Sequence, residues 1–384
     1  MNLSFRRITS SGSFIPEIDG LRFIAIASVV LSHLCGFLSA KDGNRYVDAT
    51  DYSQLGRVLM HGHLGVLLFF VISGFILGMP FAKHHLAKAP PVGLGQYYLR
   101  RLTRLEPPYV LVMTALLFGA VYVARKFTLA AALSHYFASI VYSSNFIHGR
   151  GNMPALNAVA WSLEIEVQFY ILAPIFARVF SIRNPATRRG LLCGLTLVFL
   201  SLGRWMALPF ISVLDFAHYF LVGLLLTDIY VSGSTVIPKS RFDAPVALSC
   251  LAGIWILDRG GGPSHASGLI LPGLQLACIF VLYYCVIVNK ALGFLSLGLV
   301  TNIGGMCYSI YLVHFPIISI VGERVLRHTF SRYSFLNVPV YALGMLGSVA
   351  LVSSAFFLLV ERPCMEKGWY RKIFRRSEAD GHCG

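Results

Sequence analysis

Residues 64–79 read LGVLLFFVISGFILGM, sixteen positions without a charged side chain, and this stretch decides the class of fold. Similar apolar stretches recur along the chain, in which 56% of the 384 residues are hydrophobic and only 13% are charged. A helix of about 20 apolar residues crosses a hydrocarbon core of about 30 Å. A soluble domain of this length would carry about twice this fraction of charge. The sequence therefore predicts an all-α, polytopic transmembrane helical bundle.

The predicted bundle is one transmembrane domain, 21–363, between an N-terminal segment, 1–20, and a basic tail, 364–384. The half-apolar stretch 129–147 is interpreted as an interfacial or re-entrant piece, with an eleventh span as the alternative. The hydrophobic pattern predicts about ten spans. They are predicted at 21–39, 59–79, 108–124, 159–180, 190–211, 214–231, 244–258, 269–288, 303–322 and 338–360.

The net charge is +15, and the Lys and Arg residues are unequally divided between the two sides of the predicted membrane domain. With ten spans, the side that holds both termini carries about twice as many Lys and Arg as the other side. Since cytoplasmic loops collect Lys and Arg, both termini are predicted to be cytoplasmic, and the charge indicates a membrane protein and not a nucleic-acid partner. The basic positions of this side include Arg100, Arg101, Arg104, Arg183, Arg188, Arg189, Arg371, Lys372, Arg375 and Arg376.

The N-terminus allows a second interpretation. Arg6, Arg7, the apolar run from Phe23 to Leu31 and the small residue Ala40 loosely resemble a cleavable signal. A signal core interrupted by polar side chains would be unusual, so the first span is predicted to stay in the protein.

The eight cysteines form no CxxC pair, and most lie within predicted spans. They are interpreted as small packing residues. The sequence predicts no metal site and no disulfide framework.

Ionisable residues inside a span are informative because each costs several kcal/mol unless it is paired or functional. The first span opens with Asp19 and Arg22 and carries His33 eleven positions after Arg22. At 1.5 Å per residue, His33 lies about 16 Å deeper than Arg22 on nearly the same helix face. This spacing suggests that the two residues act together. The structural alternatives are that the Arg22 side chain extends to the lipid headgroups and that His33 is a packed histidine.

Further polar residues stand out in later spans. Glu166 shares a helical stripe with Ser162 and Tyr170, whereas Glu164 is predicted to point elsewhere. His314 lies about half-way down the ninth predicted span. Three arginines at 100–104 precede the third span, and they either enforce orientation or capture an anion, because guanidinium forks match phosphate geometry.

Six segments taken in order resemble acyltransferase family 3, membrane-bound O-acyltransferases that act on polysaccharides, glycolipids and related acceptors. Any one of the segments is a weak signal, but their shared order is specific. The resemblance covers most of the chain, from about 19 to 363. The segments are DGLR at 19–22 followed by His33, FFVISGF at 69–75, RRLTRLEPPY at 100–109, WSL at 161–163 followed by Glu166, YSIYL at 308–312 followed by His314, and ERP at 361–363.

The resemblance implies roles for individual residues. It makes His33 the essential histidine, Arg22 a donor-binding residue, and Glu166 the acidic position of the WSL segment. A neutral imidazole suits His33 to act as general base, and the Glu166 carboxylate is expected to orient His33 or the acceptor hydroxyl. Arg100, Arg101 and Arg104 are then further donor-binding residues. The supporting residues are Asp19, Ser73, Trp161, Tyr170 and His314. Ser73 and its neighbour Gly74 also suit close helix packing.

The implied activity is transfer of an acyl group, expected to be acetyl, from acyl-CoA to a hydroxyl of a saccharide, glycolipid or glycoside. No permanently bound cofactor is expected, and membrane lipid is the surrounding partner. With 21 residues after Pro363, the short single-domain type is expected, in a bacterial plasma (inner) membrane. The alternative function is a transporter or flippase of a saccharide or lipid-linked intermediate that uses the same polar line without acyl chemistry.

Overall fold

The computed structural model describes residues 5, 7, 8, 14–41, 59–206, 208–258, 268–328, 334–366, 368 and 369. Most of the predicted N-terminal segment before residue 14 and the basic tail beyond residue 369 lie outside the described residues. The described chain is helical and contains no strand. In chain order the helices are α1 Pro16–Lys41, α2 Gly65–Leu86, α3 Leu94–Phe118, α4 Leu129–Ile140, α5 Ser144–His148, α6 Ala160–Phe176, α7 Pro185–Trp205, α8 Ala217–Ser232, α9 Asp243–Ile256, α10 Ile270–Tyr283, α11 Gly298–Gly305, α12 Cys307–Val325, α13 Ser334–Phe356 and α14 Arg362–Cys364.

Membrane-crossing length is reached by fewer helices than the ten predicted. Six helical segments of the described chain are long and apolar enough, and α11 with α12 makes a seventh if the 68° bend between them is counted as one broken span. The predicted spans at 214–231 and 244–258 are the shorter helices α8 and α9, of 16 and 14 residues. At 1.5 Å per residue these helices extend about 21–24 Å, which is less than a hydrocarbon core. The ten-span count is therefore not confirmed.

Stretch 129–147 forms two short helices, α4 of 12 residues and α5 of 5 residues. Neither has the length of a span. The interpretation as an interfacial or re-entrant piece agrees with these lengths better than an eleventh span does.

Helices α2 and α8 pack closely against each other. A Cβ added at Gly74 would overlap the backbone of Phe220, and one added at Gly223 would overlap the backbone of α2 at Val71. Thr227 Oγ1 also donates across this interface to the carbonyl of Phe75, at 3.0 Å. Small residues allow such backbone approach, which replaces the hydrophobic driving force that lipid cannot supply.

A buried ion cluster ties α7 to α8. Asp228 is fully buried and accepts from Arg188 and from Arg189, whose Nε lies 2.7 Å from Oδ1. Helix α7 is positioned for this contact by Asn184, whose side chain accepts from the backbone N–H of Ala186 and Thr187. Arg188 was predicted to lie on a cytoplasmic surface, but only 3% of it is exposed because it compensates Asp228.

Helix α1 contributes residues to both apolar cores of the bundle. Its first turns pack on α11, where a Cβ at Gly304 would overlap the Asp19 carbonyl, and its later turns pack on Gly62 and Gly65 at the start of α2. Helices α12 and α13 complete a second apolar core, which includes Leu34 of α1. Helix α1 thus contacts both halves of the bundle, and the polar residues along it are held from both sides.

We predict that Gly74→Ala destabilises the protein, because its Cβ would push α8 away from α2. Overpacking of this kind costs about 1–3 kcal/mol. Thermal unfolding of the purified protein in detergent measures the effect. The control is Gly194→Ala in α7, where a Cβ meets nothing within 4 Å and should be neutral or slightly stabilising. Equal unfolding temperatures for the two variants would contradict the packing assignment.

Candidate active site

A cavity of about 1190 Å³ opens between α1, α2, α3, α6 and α12, and we call it the basic cavity. Its walls are apolar on α2 and strongly charged near the start of α3. Two acidic side chains, Glu166 and Glu366, contribute to the lining. The basic side chains that line it are Arg7, Arg22, Lys83, Arg100, Arg101 and Arg104.

Arg22 and Asp19 occupy the first turns of α1. Asp19 is fully buried, and its Oδ1 accepts from Arg22 Nη1 at 2.7 Å. The three-residue spacing puts both side chains on one helix face. Arg22 lines the basic cavity, whereas Asp19 lies behind it. The carboxylate therefore anchors the guanidinium from the protein side and leaves its other face toward the cavity.

The three arginines of α3 differ in their surroundings. Arg101 donates to the Tyr97 carbonyl at 2.9 Å and stacks on the Tyr97 ring at 3.6 Å. Arg104 lies 4.0 Å from the buried carboxylate of Glu361. Arg100 is more exposed and donates to Gln96 at 3.2 Å. All three nevertheless line the basic cavity, as the anion-capture interpretation requires.

Glu166 faces the cavity from α6. Its Oε1 accepts from Ser73 Oγ and from Tyr170 OH, each at 2.5 Å. Ser162, Glu166 and Tyr170 all line the cavity, which confirms the predicted polar stripe. Ser73 therefore contributes to this network, while its neighbour Gly74 makes the helix packing.

Glu164 points away from the cavity, as predicted. It is fully buried and accepts from the backbone N–H of Ser144 at 3.0 Å and of Asn145 at 2.8 Å. The backbone of Trp161 is tied to the same region, because Asn145 Nδ2 donates to its carbonyl at 2.9 Å. Trp161 itself packs against Phe216 and is not among the residues that line the basic cavity. These residues hold α5 against α6.

His33 and His314 form a hydrogen-bonded pair, which we call the histidine pair. His33 Nδ1 lies 2.8 Å from His314 Nε2, and the two rings are within 5° of parallel. His314 Nδ1 lies 2.9 Å from the carbonyls of Ile310 and Tyr311, which can only accept, so Nδ1 carries the proton. In the neutral pair, His314 Nε2 must then accept and His33 Nδ1 must donate. The lone pair of His33 is therefore on Nε2.

The side chains of Tyr311 and Ser162 form the wall of the basic cavity on the side of the histidine pair. Tyr311 lines the cavity, and its hydroxyl donates to the Val159 carbonyl, so Ser162 Oγ must donate to the Tyr311 hydroxyl at 2.8 Å. His314 follows Tyr311 by one helical turn, with the ring centroids 6.2 Å apart. The histidine pair therefore lies one turn beyond this wall of the cavity.

The expected contact between Glu166 and His33 is not formed within the described structure. Glu166 bonds Ser73 and Tyr170, and His33 bonds His314. Glu166 is close enough to Arg22 to interact with it electrostatically. Arg22 and His33 are about three turns apart on α1. A single sequence contains no distance between α1 and α6, so this separation was not predictable.

Sequence reasoning missed four cavity residues. Tyr311 was part of the YSIYL segment but had no role assigned, and Cys307 was interpreted only as a packing residue. Lys83 was not singled out, and Arg7 was considered only as part of a possible signal. Tyr311 had a usable signal, because it precedes His314 by three positions on the same helix face. Arg7 had none, since its position depends on contacts made by the chain before α1.

The family model described as an acyltransferase domain matches residues 15–357. The chain therefore belongs to this family, acyltransferase family 3, as the ordered motifs indicated. Its long apolar helices and its membrane acyltransferase relatives make it a multi-pass membrane protein.

Two relatives carry the name O-acetyltransferase. The chain is 25% identical to "O-acetyltransferase OatA" of Staphylococcus aureus (strain NCTC 8325 / PS 47), over 95% of this chain and 60% of the relative. It is also 25% identical to "Peptidoglycan O-acetyltransferase OatA" of Listeria monocytogenes, over 81% of this chain and 50% of the relative. The chain thus spans only 50–60% of the length of these relatives.

A third relative has a length closer to that of this chain. The "Putative membrane-bound transacylase BcsY" of Komagataeibacter xylinus is 26% identical over 90% of this chain and 82% of the relative. No solved structure matches the chain.

We predict that Asp19→Asn destabilises the protein by about 3–5 kcal/mol, because it leaves buried guanidinium charge uncompensated. Thermal unfolding in detergent measures the loss. The control is Arg178→Gln, which removes an exposed charge after α6 and should change stability by at most about 0.5 kcal/mol. If Asp19→Asn unfolds at the temperature of this control, Asp19 does not anchor Arg22.

Proposed function

We propose that this protein is an integral membrane O-acyltransferase that transfers an acetyl group from acyl-CoA to a hydroxyl of a saccharide acceptor. One observation carries the proposal: the basic cavity extends from a cluster of arginines to within one helical turn of the histidine pair. Transfer from acyl-CoA to a hydroxyl needs a site that binds the anionic donor and a group that accepts the hydroxyl proton.

The proposed donor enters through the arginine end of the cavity, which we place on the cytosolic side because Lys and Arg concentrate there. Coenzyme A carries phosphates, and guanidinium groups bind phosphate through charge-assisted forks. Arg22 and Arg101 are held in place for this role by their hydrogen bonds, and Arg100 and Arg104 add charge. The separation of about 16 Å between Arg22 and His33 along α1 suits the thin pantetheine arm, which would carry the thioester inward.

The proposed base is His33 Nε2. The acceptor hydroxyl loses its proton to Nε2 as its oxygen attacks the thioester carbonyl. The C–S bond then breaks, and the departing thiolate of coenzyme A takes up that proton from His33. The bond from His33 Nδ1 to His314 supports this role, because it keeps the lone pair on Nε2 and stabilises the transient imidazolium. His314 is thus a positioning residue.

Glu166 has a different proposed role from the one that the resemblance suggested. Its hydrogen bonds to Ser73 and Tyr170 place its carboxylate in the wall of the basic cavity, beside the donor path. We therefore assign it to donor positioning. A carboxylate there accepts hydrogen bonds from amide N–H groups, which the pantetheine arm carries and phosphates lack.

The proposed acceptor is a saccharide at the opposite side of a bacterial plasma membrane. The support is the printed names of the relatives, one of which acts on peptidoglycan by its name. Because the chain covers only part of the two O-acetyltransferases, the particular acceptor is left to experiment.

We predict that His33→Ala lowers acyl transfer by about 10²–10⁴-fold, the usual contribution of a general base. The measurement is mass spectrometry of the acyl groups on cell-surface glycans from cells that carry each variant. The control is His85→Ala, an exposed histidine at the end of α2, which should match the parent.

Retained acylation by a folded His33→Ala protein would exclude His33 as the base. If glycans lose no acyl mass when the whole gene is absent, the protein is not the proposed transferase. In that case, movement of a saccharide without any acyl donor would favour the transporter alternative.

We predict that His314→Gln retains transfer to within about tenfold of the parent, whereas His314→Ala loses about 10²-fold or more. The amide oxygen of Gln can still accept from His33 Nδ1–H, and Ala cannot. The same glycan assay, with protein amounts normalised by immunoblot, measures both variants. Equal loss in both would mean that His314 acts through packing, and equal retention would mean that it has no role in positioning His33.

A further inference from the structure

Arg7 is a cavity residue that lies outside the family match. The family model begins at residue 15, yet Arg7 lines the basic cavity and only 8% of its side chain is exposed. A Cβ at Gly305 would lie 3.5 Å from the Cβ of Arg7, so Arg7 packs against the break between α11 and α12. The family pattern therefore assigns no role to this arginine.

The charges around Arg7 do not balance. Its Nε lies 3.4 Å from Asp19 Oδ1, but that oxygen already accepts from Arg22 at 2.7 Å. The nearby Arg104 approaches Glu361 only to 4.0 Å. Within the described part of the chain, the buried Nε atoms of Arg7 and Arg104 have no hydrogen-bond acceptor. Asp19 Oδ1 thus serves two guanidinium groups. The ion pairs leave Nε atoms of Arg7 and Arg104 without acceptors, and the buried Asp19 Oδ2 and Glu361 Oε1 are likewise without donors in the described part of the chain.

The charge on Arg7 is therefore poorly stabilised by the protein groups around it. Burial, followed by the neighbouring Arg22, lowers the pKa of Arg7 to about 9. Because this value remains above neutral pH, the guanidinium is charged there, and burying a charge without compensation is unfavourable. A bound anion would compensate the positive charge of Arg7 and accept hydrogen bonds from the guanidinium N–H groups that have no protein acceptor.

We propose that Arg7 completes an anion-binding site with Arg22 and Arg104, and that this site takes a phosphate group. The proposal rests on the proposed function, in which the phosphate belongs to the acyl-CoA donor. Phosphate suits the site because it accepts from several guanidinium forks at once. The cavity volume is also at least that of pockets for drug-sized ligands, which leaves room for a nucleotide.

A phospholipid headgroup carries the same chemistry, so the test must separate the two sources. The full-length protein is purified into phosphatidylcholine nanodiscs, and the binding of coenzyme A and of pantetheine, which has no phosphate, is measured by calorimetry. The variants are Arg7→Gln, Arg7→Lys and the control Arg178→Gln. Arg178 is an exposed arginine after α6 that does not line the basic cavity.

We predict that Arg7→Gln weakens coenzyme A binding by about tenfold or more, the expected effect of losing a hydrogen bond to a charged group. Arg7→Lys keeps the charge but not the fork, so a smaller loss is expected. Pantetheine should bind equally to all the proteins, because it lacks the group that Arg7 contacts. A merely structural role of Arg7 would weaken both ligands together.

The remaining outcomes are decisive in other ways. If the parent binds coenzyme A and Arg7→Gln binds it as tightly as Arg178→Gln does, the anion site is refuted while the proposed donor stands. If the parent does not bind coenzyme A, the proposed donor fails, and native mass spectrometry with phosphatidylglycerol decides the site. Retention of this lipid by Arg178→Gln and its loss from Arg7→Gln would assign the site to a headgroup, and equal retention would overturn it.

Discussion

The ion pair between Asp19 and Arg22 is the contact on which the rest of the site depends. A guanidinium at the start of a membrane helix needs a partner, and Asp19 supplies it from a fully buried position at 2.7 Å. The backbone of the same residue packs directly on Gly304, next to the break between α11 and α12. That break brings Cys307 and Tyr308 to the cavity wall. One residue therefore joins the charge arrangement of α1 to the shape of the cavity.

The arginine groups of the basic cavity and the histidine pair lie at different depths in the bundle. The charged end of the cavity holds guanidinium groups with too few carboxylates to neutralise them, which favours an anionic ligand. Beyond Tyr311 lies the histidine pair, in which three of the four ring nitrogens are hydrogen-bonded without any formal charge and His33 Nε2 keeps its lone pair. Such a neutral imidazole pair is cheaper to bury than an ion pair. The proposed division of donor binding and base chemistry follows from this difference.

The polar residues of α6 show how two adjacent acids acquire different functions. Glu164 and Glu166 are two positions apart, so a helix turns them to different sides. Glu164 holds the backbone of α5 through two N–H groups, whereas Glu166 faces the cavity with Ser73 and Tyr170. Sequence periodicity predicted that their directions differ. It did not identify the partners, and the resemblance suggested His33 where the structure has Ser73.

The sequence by itself determined the features that depend on helix geometry within one segment. These are the helical class, the face shared by Arg22 and His33, the stripe of Ser162, Glu166 and Tyr170, and the ordered motifs of the family. The tertiary structure alone decided the pairing of His33 with His314, the burial of Arg188 against Asp228 and the entry of Arg7 into the cavity. Hydropathy also predicted more spans than the helices have length for, because an apolar window does not detect where a helix breaks. The physical reason is that rise and turn per residue are local, whereas contacts between helices depend on how closely their backbones approach, as at Gly74 and Gly304.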